Sequence, residues 1–158
     1  MSIEVREARP GDGAAIHAMA LELARSHGYE AGFSSEPAQF ETALFQPGAI
    51  VGALIALVDG VPAGCAFWHR SFTTFRGREV LYLEDLSVLP RFQRRGVGKA
   101  LLKALARLAV ERGYPSIYWM MMDWNDGARA LYESIGAEIE DGMCYCRLSD
   151  GALERFAA

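Results

Sequence analysis

Apolar residues alternate or run in short blocks along this chain, and the period changes from segment to segment. Residues 3–8, IEVREA, alternate like a strand and stop at Pro10-Gly11-Asp12. Asp12 stands where it can cap a helix whose apolar positions Ile16, Met19, Ala20 and Leu23 recur at helical spacing. That helix ends near Ser26-His27-Gly28, and a shorter one is predicted from Glu36 to Leu44. Two apolar runs, AIVGALIALVDG and VPAGCAFWHRSF, meet at Asp59-Gly60 and give the strongest hairpin signal in the chain. A third strand over residues 79–88 halts at Pro90. From Gly98 to Arg112, Leu101, Leu102, Leu105, Leu108 and Ala109 form one stripe, with Lys99, Lys103, Arg107 and Glu111 opposite. Residues 116–122 read as a strand, Asn125 caps a short helix ending at Gly136, and residues 138–148 are strand-like around Asp141-Gly142. A last helical turn is expected at Leu153 to Phe156.

The order β-α-α-β-β-β-α-β-α-β pairs antiparallel hairpins with one crossover, strand–helix–strand over residues 80–122. It predicts an α+β fold: a mixed, mostly antiparallel sheet with helices on both faces. With 158 residues and no linker, repeat or low-complexity stretch, a single domain over 1–158 is expected.

Composition removes several functions. A formal net charge of −4 disfavours general nucleic-acid binding. No run approaches the roughly 18 apolar residues of a membrane span, and the start MSIEVREARPGD has no apolar leader, so a cytoplasmic protein is expected. Cys65, Cys144 and Cys146 lack CxxC spacing and His17, His27 and His69 are dispersed, so no metal site is read.

The chemistry concentrates at residues 93–98, QRRGVG, between the apolar strand LYLEDLSV (81–88) and the amphipathic helix. A helix start carries unpaired N–H groups and partial positive charge, and glycines let an anion approach closely. Gln93, Arg94, Arg95, Gly96, Val97, Gly98 and Lys99 therefore read as a pyrophosphate cradle. A dinucleotide fingerprint is excluded because Leu101 replaces its third small residue; a P-loop is excluded because Ala100 follows Gly98-Lys99.

Gln93, Gly96 and Gly98 fit the Q/R-x-x-G-x-G/A acyl-CoA signature of the GNAT superfamily of N-acetyltransferases. LYLED, DWNDGARALYESIGA (123–137) and FTTFRGR (72–78) resemble its spermidine/spermine (diamine) acetyltransferase branch and bacterial relatives. The resemblance implies acetyl-CoA as cofactor, a small primary amine as acceptor, and attack within a ternary complex. It implies Tyr132 as general acid and Glu84 as base, directly or through water. It implies that the backbone of Leu86, Ser87 and Val88 meets the pantetheine or thioester, that Asn125 and Tyr132 touch the cofactor, and that the protein is a homodimer, with MCYCRL (143–148) as a candidate edge.

The residues alone leave a plainer reading of each. Glu84 and Asp85 are neighbours, so on a regular strand they face opposite ways, and one of them reads as structural. Tyr132 reads as core packing and Asn125 as a helix cap. The branch's glutamate-rich segment is replaced by HGYEAGFSSEPAQFE (27–41), leaving Glu30, Glu84 and Asp85 to supply the negative field and Phe75 to stand near the amine pocket. The acceptor therefore stays open among diamine, polyamine and lysine-like amines. A peptide acceptor and a non-catalytic acyl-CoA sensor are the alternatives.

Overall fold

The computed structural model describes residues 1–157 and contains two compact units, Met1–Met120 and the chain from Met121 onward. The first unit holds a five-stranded sheet whose spatial order equals chain order: β1 (Ile3–Glu7), β2 (Val51–Val58), β3 (Val61–Thr73), β4 (Arg78–Val88) and β5 (Ile117–Tyr118). The first four strands pair antiparallel, and β4 pairs with β5 in parallel. This is the mixed α+β architecture expected from the pattern.

Helix α1 (Gly13–Ser26) and α2 (Pro37–Phe45) cover one face, where Ile16, Met19, Leu44, Ala53, Ile55 and Cys65 form a buried core. Helix α3 (Val97–Glu111) covers the other with Leu101 and Leu105 fully buried. Gly64 marks how close that packing is: a Cβ there would sit 2.5 Å from the Ser87 carbonyl oxygen and 3.3 Å from Leu101. The β2–β3 turn is the predicted one, with Asp59 at φ 48° and Gly60 at φ 82°, the pair of positive values a two-residue I′ turn requires.

Asp12 does cap-like work only by position. Its carboxylate forks onto Arg6 at 2.6 and 3.1 Å and accepts from the Arg9 N–H at 2.7 Å. The free amides at the start of α1 are met from α2 instead: Glu41 accepts from Gly11 at 2.7 Å and Gly13 at 2.9 Å. Gly13 is required there, since a Cβ would lie 2.6 Å from the Glu41 carboxylate.

In the second unit, α4 (Asp126–Ser134) and α5 (Asp150–Ala157) are the helices. The strand expected at 138–148 does not form, and the 116–122 strand shortens to Ile117–Tyr118. Strand backbone needs a partner ladder. None is paired with 138–148 among the described residues, and Gly142, at φ 89°, turns the chain within it.

Candidate active site

Two departures from regular β-structure shape the end of β4. The first is a bulge. Phe67 pairs with Asp85 but the next residue, Trp68, pairs with Leu83, so Glu84 is one residue too many on β4. Alternation is reset across it: Asp85 shares a face with Phe67, and Tyr82 shares that same face with His69. The expectation that Glu84 and Asp85 simply face opposite ways is corrected, because strict alternation fails at the inserted residue. The two carboxylates are close enough to interact. Burial, and secondarily the charge on Glu84, pushes Asp85 up to about 6.

The second departure is the short β5. Its pairing with β4 covers Leu81 and Tyr82 only, so β4 from Leu83 to Val88 has no strand on that side among the described residues. An open strand edge offers backbone donors and acceptors to an extended ligand.

The face that carries Asp85 is aromatic. His17 on α1 packs edge-on against Phe33 and Phe40, both at 5.3 Å between ring centroids, and Phe40 packs against Phe67 at 5.6 Å. Asp85 has no cationic partner among the described residues, whereas Arg6, Arg25 and Arg112 are ion-paired to Asp12, Glu30 and Glu7. Glu84 is exposed, with its Oε2 3.6 Å from Nε2 of His69.

Beyond Val88 the chain makes a one-turn 3-10 helix at Pro90–Phe92 and enters α3 through Gly96 at φ 86°. Gln93 ties this loop back to the strand, its Nε2 donating to the Val88 carbonyl at 3.0 Å. No side chain caps α3 and no acidic residue occupies its first turn. The first intrahelical bond runs from Ala100 N–H to the Gly96 carbonyl at 2.9 Å, which leaves the amides of Val97, Gly98 and Lys99 directed out of the helix start. Arg94, Arg95 and Lys99 surround it and are exposed or nearly so.

The model of the acetyltransferase (GNAT) family matches residues 16–137. The chain belongs to that family. Thialysine N-epsilon-acetyltransferase of Bos taurus is 30% identical, the match covering 98% of this chain and 97% of that protein. L-ornithine N5-acetyltransferase of Arabidopsis thaliana is 35% identical over 62% of this chain, which spans only 43% of the plant protein. Among solved structures, an aminoglycoside N-acetyltransferase in complex with CoA superimposes with a TM-score of 0.73 at 22% identity, covering 92% of this chain and 94% of that one.

The GNAT assignment makes this chain an acyltransferase, and its residues fit an acyl-CoA. The uncapped, glycine-entered helix start with three surrounding cations suits a pyrophosphate, and the open edge of β4 suits an extended pantetheine. Side chains are another matter. Ser87 is buried and its hydroxyl donates to the Met19 carbonyl at 2.8 Å, and Val97 is buried in the core, so only their backbones are available to a ligand.

In the second unit Asn125 accepts from the Ala128 N–H at 3.0 Å, capping α4 as its sequence position predicts. Tyr132 on α4 is buried, and burial raises its phenol above the ordinary range, so it keeps its proton at neutral pH.

Of the other residues expected at the acceptor, Glu30 is ion-paired to Arg25 at 2.7 Å, and Phe75 is fully exposed at the tip of the β3–β4 hairpin. Phe33, Phe40, Phe67 and His69 were missed by sequence reasoning. Only the bulge places the latter two beside the carboxylates, and no glycine or proline marks it. A cavity of about 410 Å³ lined by Leu44, Phe45, Gly52, Trp68, Arg70 and Arg112 contains none of the cradle residues and neither carboxylate. Among the described residues no cluster of His, Cys, Asp and Glu suits a metal ion.

Proposed function

We propose that this GNAT acetyltransferase moves the acetyl group of acetyl-CoA to the primary amine of a small cationic molecule by direct attack within a ternary complex. The observation that carries this reading is the pair of carboxylates at the β4 bulge, one exposed and one half-buried against aromatic rings without a cation of its own. An alkylammonium supplies the missing charge and an apolar chain to lie on Phe40 and Phe67. The names of the bovine and plant relatives, which refer to thialysine and ornithine, support an amino-acid side-chain amine of this kind.

Acetyl-CoA, when bound, supplies an activated thioester. The amides of Val97, Gly98 and Lys99, with Arg94 and Arg95, hold its phosphates, and the β4 edge at Leu86 to Val88 aligns its arm. The acceptor arrives as an ammonium, because an alkyl amine has a pKa of about 10.4. Asp85 anchors that charge. Glu84, directly or through water, removes the proton so that the nitrogen lone pair is free to attack. Tyr132, kept protonated by burial, is assigned to return a proton to the departing sulfur.

Thiol release from acetyl-CoA would be followed with thialysine, ornithine, a short diamine, spermidine and a lysine peptide. Turnover is expected with the amino acids or the diamine, and Tyr132→Phe is expected to lower kcat by ~100-fold or more. No release above hydrolysis with any amine, together with a Tyr132→Phe variant indistinguishable from the parent, would refute the reading.

A further inference from the structure

His69 belongs to none of the assignments above, yet β3 carries it to the bulge. Its Nδ1 lies 3.2 Å from the Arg70 carbonyl oxygen, which can only accept a hydrogen bond. Nδ1 therefore bears the hydrogen in the neutral ring, and the Nε2 lone pair faces Glu84 Oε2 at 3.6 Å. The imidazole is stacked on Tyr82, with centroids 5.0 Å apart and planes 28° from parallel, so its orientation is fixed by a ring as well as by the carbonyl. About a third of the side chain reaches solvent.

A lone pair and a carboxylate facing each other repel unless a proton lies between them. We propose that His69 and Glu84 form a proton relay that serves the acetyl transfer, with His69 as the member that passes the acceptor's proton to solvent. The proposal rests on Glu84 acting as the base. In the first step an N–H bond of the substrate ammonium breaks and an O–H bond forms on Glu84, leaving the neutral amine. In the second the O–H bond breaks and an N–H bond forms at Nε2 of His69, restoring the carboxylate and giving an imidazolium. The exposed ring edge then gives that proton to water, and the neutral ring returns. Hydrogen-bond reach is ~2.6–3.2 Å, and catalytic contacts tighten from longer separations once substrate is bound.

The stack and the carbonyl contact fix the imidazole with its Nε2 toward Glu84. The other titratable groups on this face are Asp85 and Tyr82 on β4, Cys65 on β3 and His17 on α1.

His69→Asn keeps a donor for the Arg70 carbonyl but offers nothing basic at the Nε2 position; His69→Gln reaches the Nε2 position with an amide, which is not a base either, and gives up that donor. With thialysine or ornithine as acceptor, both variants are expected to lower kcat about tenfold and to leave the KM values for acetyl-CoA and the amine unchanged. A His69→Asn enzyme with parental kcat, or one changed only in KM, would overturn the relay. Glu84→Gln separates the two readings. If it lowers kcat and His69→Asn does not, the relay alone fails; if Glu84→Gln is silent, the base assignment fails with it. Should either histidine variant not fold, nitrogen NMR of the His69 ring in the parent protein decides. The expected result is the Nδ1–H tautomer; the Nε2–H tautomer would overturn it.

Discussion

In the role proposed for it, Asp85 would serve binding at the expense of stability. Its carboxyl is pushed up to about 6, above the ~3.9 of an unfolded aspartate, so the folded protein binds the proton more tightly than the unfolded chain does. The sign follows: the stability that Asp85 contributes is fully present below about pH 4 and is lost as the pH rises through about 6. Asp85→Asn removes this penalty and is expected to raise stability at pH 7.5 by up to ~3 kcal/mol, the free energy of a shift of about two units. The difference between parent and variant, followed by denaturant unfolding at several pH values, should vanish near pH 4. The same variant should raise the KM for the amine by at least tenfold, since an amide carries no charge for the ammonium. An equal stability gap at pH 4 and 7.5 would mean that burial of the charge is not its origin. Cys65 feels the same environment: burial, and then the Asp85 charge, push its thiol up to about 12, so it stays a neutral thiol within the core.

At the scale of elements, the entry to α3 joins fold and chemistry. Gly96 stands at φ 86° with only Ile3 Cδ1 near a would-be Cβ, at 4.0 Å. Space is therefore available and the obstacle to a larger residue is backbone strain. Gly96→Ala is expected to cost about 1–2 kcal/mol of stability and to raise the KM for acetyl-CoA severalfold while leaving the KM for the amine unchanged. Steady-state kinetics on both substrates with a thermal melt would check it, and an altered amine KM alone would count against the cradle. Much of this element was legible beforehand, because glycines, an amphipathic stripe and a Pro90 stop are local signals. The bulge was not. LYLED reads as an ordinary strand, and only the pairing of Phe67 with Asp85 and Trp68 with Leu83 reveals the inserted Glu84. The cap on α1 was likewise invisible, since its donor of stability, Glu41, comes from 28 residues further along. The strand expected at 138–148 failed for a related reason: alternation names a face, whereas a ladder requires a partner that sequence pattern does not supply.

At the scale of the molecule, the second unit carries exposed apolar side chains at Met143, Tyr145, Leu148 and Phe156. Such residues, next to a chain with strand-like alternation and no ladder, suit association with a second copy. We expect light scattering to give a dimer at micromolar concentration and Tyr145→Asp to shift it toward monomer; a parent protein that is monomeric throughout would overturn the expected homodimer. The sheet of the first unit has a different consequence, one of timing. Because spatial strand order equals chain order, β2, β3 and β4 form a meander joined by short turns, closable by local contacts alone. The β4–β5 pair must wait for a crossover of 28 residues, from Leu89 to Ser116, to close through α3. His69, Glu84 and Asp85 lie in the early piece and Gln93 to Lys99 in the late one. During folding, the strands that carry the proposed ammonium site are expected to pair before the helix start proposed for the phosphates is fixed by the crossover.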